Sequence, residues 1–272
     1  MAFSNPAFSR NAAFSSQGAV AAAQNVSAQQ LDEIYNRSSA PVEGESMTFE
    51  DTIAKTVGAF ALLLVGALVG WLTAETLPFL WIGAAIVGLV LGLVNSFKRE
   101  PSAPLILIYS VVQGVFVGGI SAFYEAMFPG VVVQAVIASL VVVGVTLGLF
   151  ASGKIRASKK ATKVFLIALV GYLVFSVVNV FIQLFGGAGG NAWGLRGIDL
   201  NILGFSIPLG VILGVFVVIL AAYSLVLDFD FIQRGVQNKA PRKYGWTGAF
   251  GIMVTIVWLY LEILRMLAIS RR

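Results

Sequence analysis

Three carboxylates stand where hydrocarbon is expected. Asp228 and Asp230 end one long apolar run, and Glu262 sits inside the next. A charged side chain at the centre of a bilayer costs about 2.5–3.5 kcal/mol on insertion scales, so acids kept there are candidate functional groups. Two carboxyls within hydrogen-bond reach in a low-dielectric site cannot both ionise cheaply and hold a shared proton. When rising pH removes that proton, the two anions repel or take a hard cation. Asp228 and Glu262 are the candidate pair.

The pairing depends on register. In an antiparallel helix hairpin, residues equidistant from the turn lie at the same depth. Gly245, inside the turn-like stretch Pro241-Arg-Lys-Tyr-Gly-Trp246, is the midpoint between Asp228 and Glu262. The two acids can then face each other, provided the helix carrying Asp228 continues past Gln233 towards Lys239. Asp228 and Asp230 point to nearly opposite sides of a helix at roughly 100° per residue, so one faces the bundle and the other looks outward. Each also reads as a solvated acid at a helix end. Glu262 has a local alternative in an i,i+3 pair with Arg265.

Composition fixes the class and closes most chemistry. The chain has 272 residues, 58% of them hydrophobic and 11% charged, with a mean hydropathy of +0.90. Soluble domains are about a quarter charged, so this is a membrane protein. It has no Cys and no His. Thiol nucleophiles, thiolate metal sites, disulfides and the usual general base are all absent. Nothing in the sequence points to nucleic acid or to a resident cofactor; the expected partner is the lipid bilayer.

Residues 1–52 are rich in Ser, Asn, Gln and Ala, carry six acids and lack an apolar run, which predicts a disordered cytoplasmic tail without a signal peptide. Phe3, Phe8 and Phe14 there read as a short partner-docking motif. Residues 53–272 form the membrane domain. Seven apolar runs follow, each near the roughly 20 residues that cross a bilayer: Ile53–Leu72, Leu77–Val94, Pro104–Met127, Val131–Phe150, Val164–Phe185, Ile202–Leu227 and Trp246–Ile269. An all-α seven-span bundle follows, with a six-span alternative in which the last run is re-entrant. The alternate loops after spans two, four and six hold eleven Lys and Arg against one, Arg196, in the opposite loops. That places the N-terminus in the cytoplasm of a multi-pass cell-membrane protein, with Arg271 and Arg272 on the unexpected side.

Glycines recur at i,i+4 in Gly66/Gly70, Gly88/Gly92, Gly114/Gly118, Gly144/Gly148 and Gly210/Gly214, the spacing that lets helices approach closely in lipid. Leu at Gly118 or Gly148 is accordingly expected to force helices apart. Other polar residues within the spans are Gln113, Glu125, Gln134, Thr146, Asn179 and Gln183. Glu125 either lines an outer mouth or sits in the interface.

Four stretches carry a resemblance to the Bax inhibitor/YccA family, and the opening Asn5-Pro-Ala-Phe-Ser-Arg10 resembles its actinobacterial-type branch. They are Lys55-Thr-Val-Gly-Ala-Phe-Ala, Gly118-Gly-Ile-Ser-Ala-Phe-Tyr-Glu125, Leu227-Asp228-Phe-Asp-Phe-Ile232 and Leu259-Tyr-Leu-Glu262-Ile-Leu-Arg265. The resemblance covers residues 50–270. It implies a seven-helix bundle with the last helix central, and a pH-sensitive calcium leak gated by carboxyls on spans six and seven, here Asp228 and Glu262, which then become a proton-sensing pair and, since calcium favours oxygen ligands, candidate Ca2+ ligands. Ca2+ is on this reading a transported or transiently bound ion. Asp230, Glu125 and Arg265 are the accessory candidates. Glu stands at 262 where the family usually has Asp, and Asp230 stands near the usual Gln, so the partner Asp is open. A second class of function is an interaction protein that modulates a membrane protease or a stress-response complex without transport. A third is an intramembrane acid hydrolase, which lacks the expected Gly-Asp motif.

Overall fold

The structure, a computed structural model, describes residues 46–185, 193–202 and 205–272. The predicted tail up to residue 45 lies outside the described residues.

The first helix starts earlier than its apolar run. Thr48 accepts a hydrogen bond from the Asp51 amide at 3.1 Å through its hydroxyl, and Glu50 and Asp51 lie in the first turn. Those are the signals of a helix N-terminus, so α1 spans Phe49–Thr73 and takes in residues assigned above to the tail. It is followed by α2 (Pro78–Phe97), α3 (Ala103–Met127), α4 (Val131–Ala151) and α5 (Lys159–Phe185). A 3-10 turn, Gly194–Gly197, leads into the antiparallel strands β1 (Asp199–Ile202) and β2 (Phe205–Pro208). The chain then enters α6 (Leu209–Gln237) and α7 (Gly245–Ser270). All seven helices are long and apolar enough to cross a membrane. The sixth run does not begin at Ile202 as expected, because residues on either side of 203–204 pair as a hairpin and the helix starts only after Pro208.

The last helix is the core of the bundle. In its apolar window 56% of residues are buried, against 6% for α2 and 17% for α5. It packs against α6, α1, α4 and α3, and Met253, Leu259 and Leu264 are among its fully buried side chains. A re-entrant last segment is therefore excluded. Arg271 and Arg272 end at the face away from the basic loops, where Arg271 donates to the Pro129 carbonyl and to Gln134 and Arg272 pairs with Asp199.

Close approach through glycine is real on four of the five helices expected to show it. A Cβ on Gly66, Gly70, Gly114 or Gly118 would strike the facing backbone across the α1–α3 seam. Gly88 lies against Gln113, and Gly210 and Gly214 lie against Ile269 and Met266. The exception is Gly144/Gly148, where a Cβ would meet open space on an exposed face of α4. Buried hydroxyls on the helices, such as Ser110, Ser121 and Ser139, donate to carbonyls four residues back, so they place no unmet donor in the apolar interior.

Gly118→Leu should therefore lower stability by about 3 kcal/mol, the upper range for overpacking, while Gly148→Leu should stay within about 0.5 kcal/mol. Thermal unfolding of the purified proteins in detergent checks both, and equal melts would remove the packing account. A reporter fused at the C-terminus and one inserted after Lys160 should report opposite sides of the membrane.

Candidate functional site

The α6–α7 turn sets the register. Helix α6 runs to Gln237, beyond the point the pairing required, and Lys239 turns the chain at φ 50°. The stretch Pro241–Trp246 is then not the centre of the turn; Arg242–Tyr244 forms a 3-10 turn leading straight into α7. Facing positions are Ile232 with Gly248, Asp228 with Gly251, Ser224 with Thr255 and Gly214 with Met266, all centred on Ala240. Moving the centre from Gly245 to Ala240 shifts every pairing, and Asp228 falls opposite the first half of α7.

The structure therefore does not bring Asp228 and Glu262 together. Asp228 accepts a hydrogen bond from the Thr255 hydroxyl at 2.7 Å, and Thr255 also contacts Ser224 at 3.2 Å. Glu262 lies two helical turns further along α7, about 10 Å of rise. Between them the α6–α7 seam is filled by Ala221, Leu225 and Leu259, none of them exposed. The joint Ca2+ site expected of the two acids is corrected on the same ground, and the described residues gather no group of three or more acids for a metal ion.

Glu262 is instead the centre of a buried ionic cluster. Its carboxylate accepts from Arg196 at 2.8 Å, from the Tyr172 hydroxyl at 2.6 Å and from Arg265 at 3.1 Å. Arg196 also donates to the Tyr172 hydroxyl at 2.8 Å and to Ser176 at 3.3 Å, and its guanidinium lies 5.3 Å from the Tyr172 ring centre. Only 2% of the Glu262 side chain and 3% of the Arg196 side chain are exposed. Arg265 does make the local pair foreseen for it, but as the lesser of two cations. The connection after α5 delivers Arg196: the buried Asn179 accepts from the Leu195 amide at 2.7 Å, and the Leu209 amide bonds to Ile198 at 2.8 Å.

The accessory acids have structural partners. Asp230 forms an i,i+4 pair with Arg234, facing away from Thr255. Glu125 accepts from the Gly130 and Val132 amides at 2.6 and 3.0 Å, which caps the start of α4 rather than lining a mouth. Arg196 is the residue of this cluster that the sequence did not single out. It was visible as the one basic residue in the opposite loops, but that reads as an orientation marker until its burial is known.

Two recesses approach the seam from opposite ends. One of about 490 Å3 reaches Asp228 from the basic loops and is lined there by Lys98, Arg99, Tyr244 and Thr247. The other, of about 370 Å3, lies between the far ends of α3 and α5 and reaches Arg196 and Arg265. The profile of the Bax inhibitor 1-like family matches residues 5–272. The chain belongs to that family. A comparison with curated proteins returned no match. Membership and the seven apolar helices make it a multi-pass membrane protein of the Bax inhibitor-like kind.

Removing one partner of a buried pair leaves an uncompensated charge. Glu262→Leu, which leaves Arg196 and Arg265 without their carboxylate, should destabilise by about 3 kcal/mol or more, and adding Arg196→Met should recover part of that loss. Unfolding of the two variants in detergent tests the coupling; independent, additive losses would mean that the pair does not act as a unit.

Proposed function

We propose that this Bax inhibitor-like protein is a pH-responsive cation leak, with calcium the expected ion, in which Asp228 is the proton-sensing group and Glu262 the far-side anchor. The observation that supports this reading is the placement of Asp228 at the inner end of a recess, hydrogen-bonded to a hydroxyl and stopped from the far recess by the Ala221, Leu225 and Leu259 plug. A carboxyl held by Thr255 changes charge without breaking an ion pair. At low pH its protonated form is at ease against the apolar seam. As pH rises, the anion draws water and cations into the recess and disfavours the dry seam beside it.

Glu262 acts differently in this reading. Its negative charge is matched by Arg196, whose guanidinium occupies the position a permeating cation would take beside the carboxylate. Opening then requires α6 and α7 to part and Arg196 to withdraw, which leaves two carboxylates two turns apart along one passage. The alternative is an interaction protein that acts on a membrane protease or stress-response complex through residues 1–52 and the basic loops, without transport.

Calcium flux into proteoliposomes across a pH series is the test. Flux should rise with pH in the wild type, and Asp228→Asn should flatten that response. Asp230→Asn, whose carboxyl faces Arg234, should keep it. Glu262→Gln should alter the basal flux more than its pH slope, because Arg196 loses its partner. An unchanged slope in Asp228→Asn would remove Asp228 as sensor, and a wild type without any flux would remove the leak itself.

A further inference from the structure

The recess between the far ends of α3 and α5 has a chemistry that the leak does not use. Its inner wall is the ionic cluster, which holds two guanidiniums and one carboxylate and so carries a net positive charge in a place nearly closed to water. Arg196 is spent on Glu262, Tyr172 and Ser176. Arg265 is placed otherwise: a third of its side chain is exposed, at 33%, and it lines the recess while bonding to Glu262, Tyr124 and Tyr172. A guanidinium has five donors in a fixed fork, and that fork matches a phosphate or carboxylate.

The mouth of the recess is largely apolar, with the exposed Gln183 its polar residue. Phe123 on α3 and Val180 on α5 are each 50% exposed at its two edges, and the Trp193 ring stacks on Tyr124 with centroids 6.0 Å apart. These residues lie near the helix ends opposite the basic loops, the level at which amphipathic aromatics meet headgroups. A recess with a cationic back and a largely apolar, sideways-facing mouth fits a molecule with an anionic head and a hydrocarbon body.

We propose that this recess binds a phosphate-bearing anion, presented as the headgroup of an anionic phospholipid, with Arg265 holding the phosphate and the acyl chains lying over Phe123 and Val180. The bound phosphate offsets the surplus charge of the Arg196–Glu262–Arg265 cluster and so steadies the element that anchors α5 to α7. The site stands independently of the leak, since binding is read without flux.

The full-length protein is purified in a neutral detergent, offered equal amounts of phosphatidylglycerol and phosphatidylcholine, and examined by native mass spectrometry for retained lipid. Wild type should retain phosphatidylglycerol over phosphatidylcholine by about fivefold, the ratio expected for one guanidinium facing an anionic lipid. Arg265→Gln should lose that preference. Val180→Trp, which fills the mouth and leaves the cluster intact, should lose it too and decides alone if Arg265→Gln does not fold. A parallel titration with inorganic phosphate separates the sources: protection of wild type but not Arg265→Gln against thermal unfolding, without lipid preference, assigns the site to a soluble phosphate. Equal retention of the two lipids with no phosphate effect overturns the proposal, as does a preference that survives in folded Arg265→Gln and Val180→Trp.

Discussion

A carboxylate buried on the central helix must be matched by a cation brought to it, and much of this fold follows from how Arg196 reaches Glu262. Neither residue has more than a trace of surface, so water does little to screen or solvate them. Compensation comes from two guanidiniums, the Tyr172 hydroxyl and a serine. Arg196 sits on a 3-10 turn, which Asn179 ties to α5 and the β1–β2 hairpin connects to α6. The sequence spends a polar Asn, a strand pair and a tight turn on holding one side chain. Among the described residues no buried side-chain nitrogen or oxygen lacks a partner, so the arrangement leaves no unmet hydrogen bond.

The opposite end of the bundle is held by a different device. Met47 is 1% exposed and its amide donates to the Ala240 carbonyl at 2.7 Å, in register with a bridge between Ser46 and Pro241. Asp51 pairs with Lys55 and with Arg242, and Lys55 donates to the Arg242 carbonyl and stands over the Trp246 ring. The start of α1 is thus clamped to the α6–α7 turn. Because that turn fixes which residues of α6 face which residues of α7, the clamp also fixes the surroundings of Asp228.

Periodicity and charge made the architecture legible. Seven apolar runs became seven helices, and the glycine spacing foretold the α1–α3 seam because two small residues per helix leave a groove that backbone can enter. The same spacing at Gly144/Gly148 meant nothing, since a pattern on one helix does not say whether a partner faces it. The acid pair failed for a related reason. Pro241 and Gly245 both carry turn chemistry, and the sequence does not say which of them ends a helix and which begins one. Proline at 241 closes the connection and Gly245 opens α7, so the centre falls at Ala240 and the two acids separate. Arg196 was illegible as a site residue because its partner is 66 positions away and its burial comes from tertiary packing alone.

Which element can move follows from how each is held. Helix α7 has no exposed residue before Ser270, and α1 and α3 are locked backbone to backbone through glycine. Helix α5 buries only Phe165, Tyr172 and Asn179 among its described residues, and two of those three belong to the polar network around Arg196. Its inner end rests on Tyr223 of α6, through a ring contact with Phe165 and a hydroxyl contact with Thr162 at 3.0 Å. The attachment of α5 to the core therefore rests on a polar network centred on the Glu262 carboxylate at one end and on the Tyr223 contacts at the other. Asp228 lies two helical turns from that carboxylate along α7, with Ala221, Leu225 and Leu259 filling the seam between them. Charge and hydrogen bonding thus place α5, whereas apolar burial and glycine contact place α7, α1 and α3.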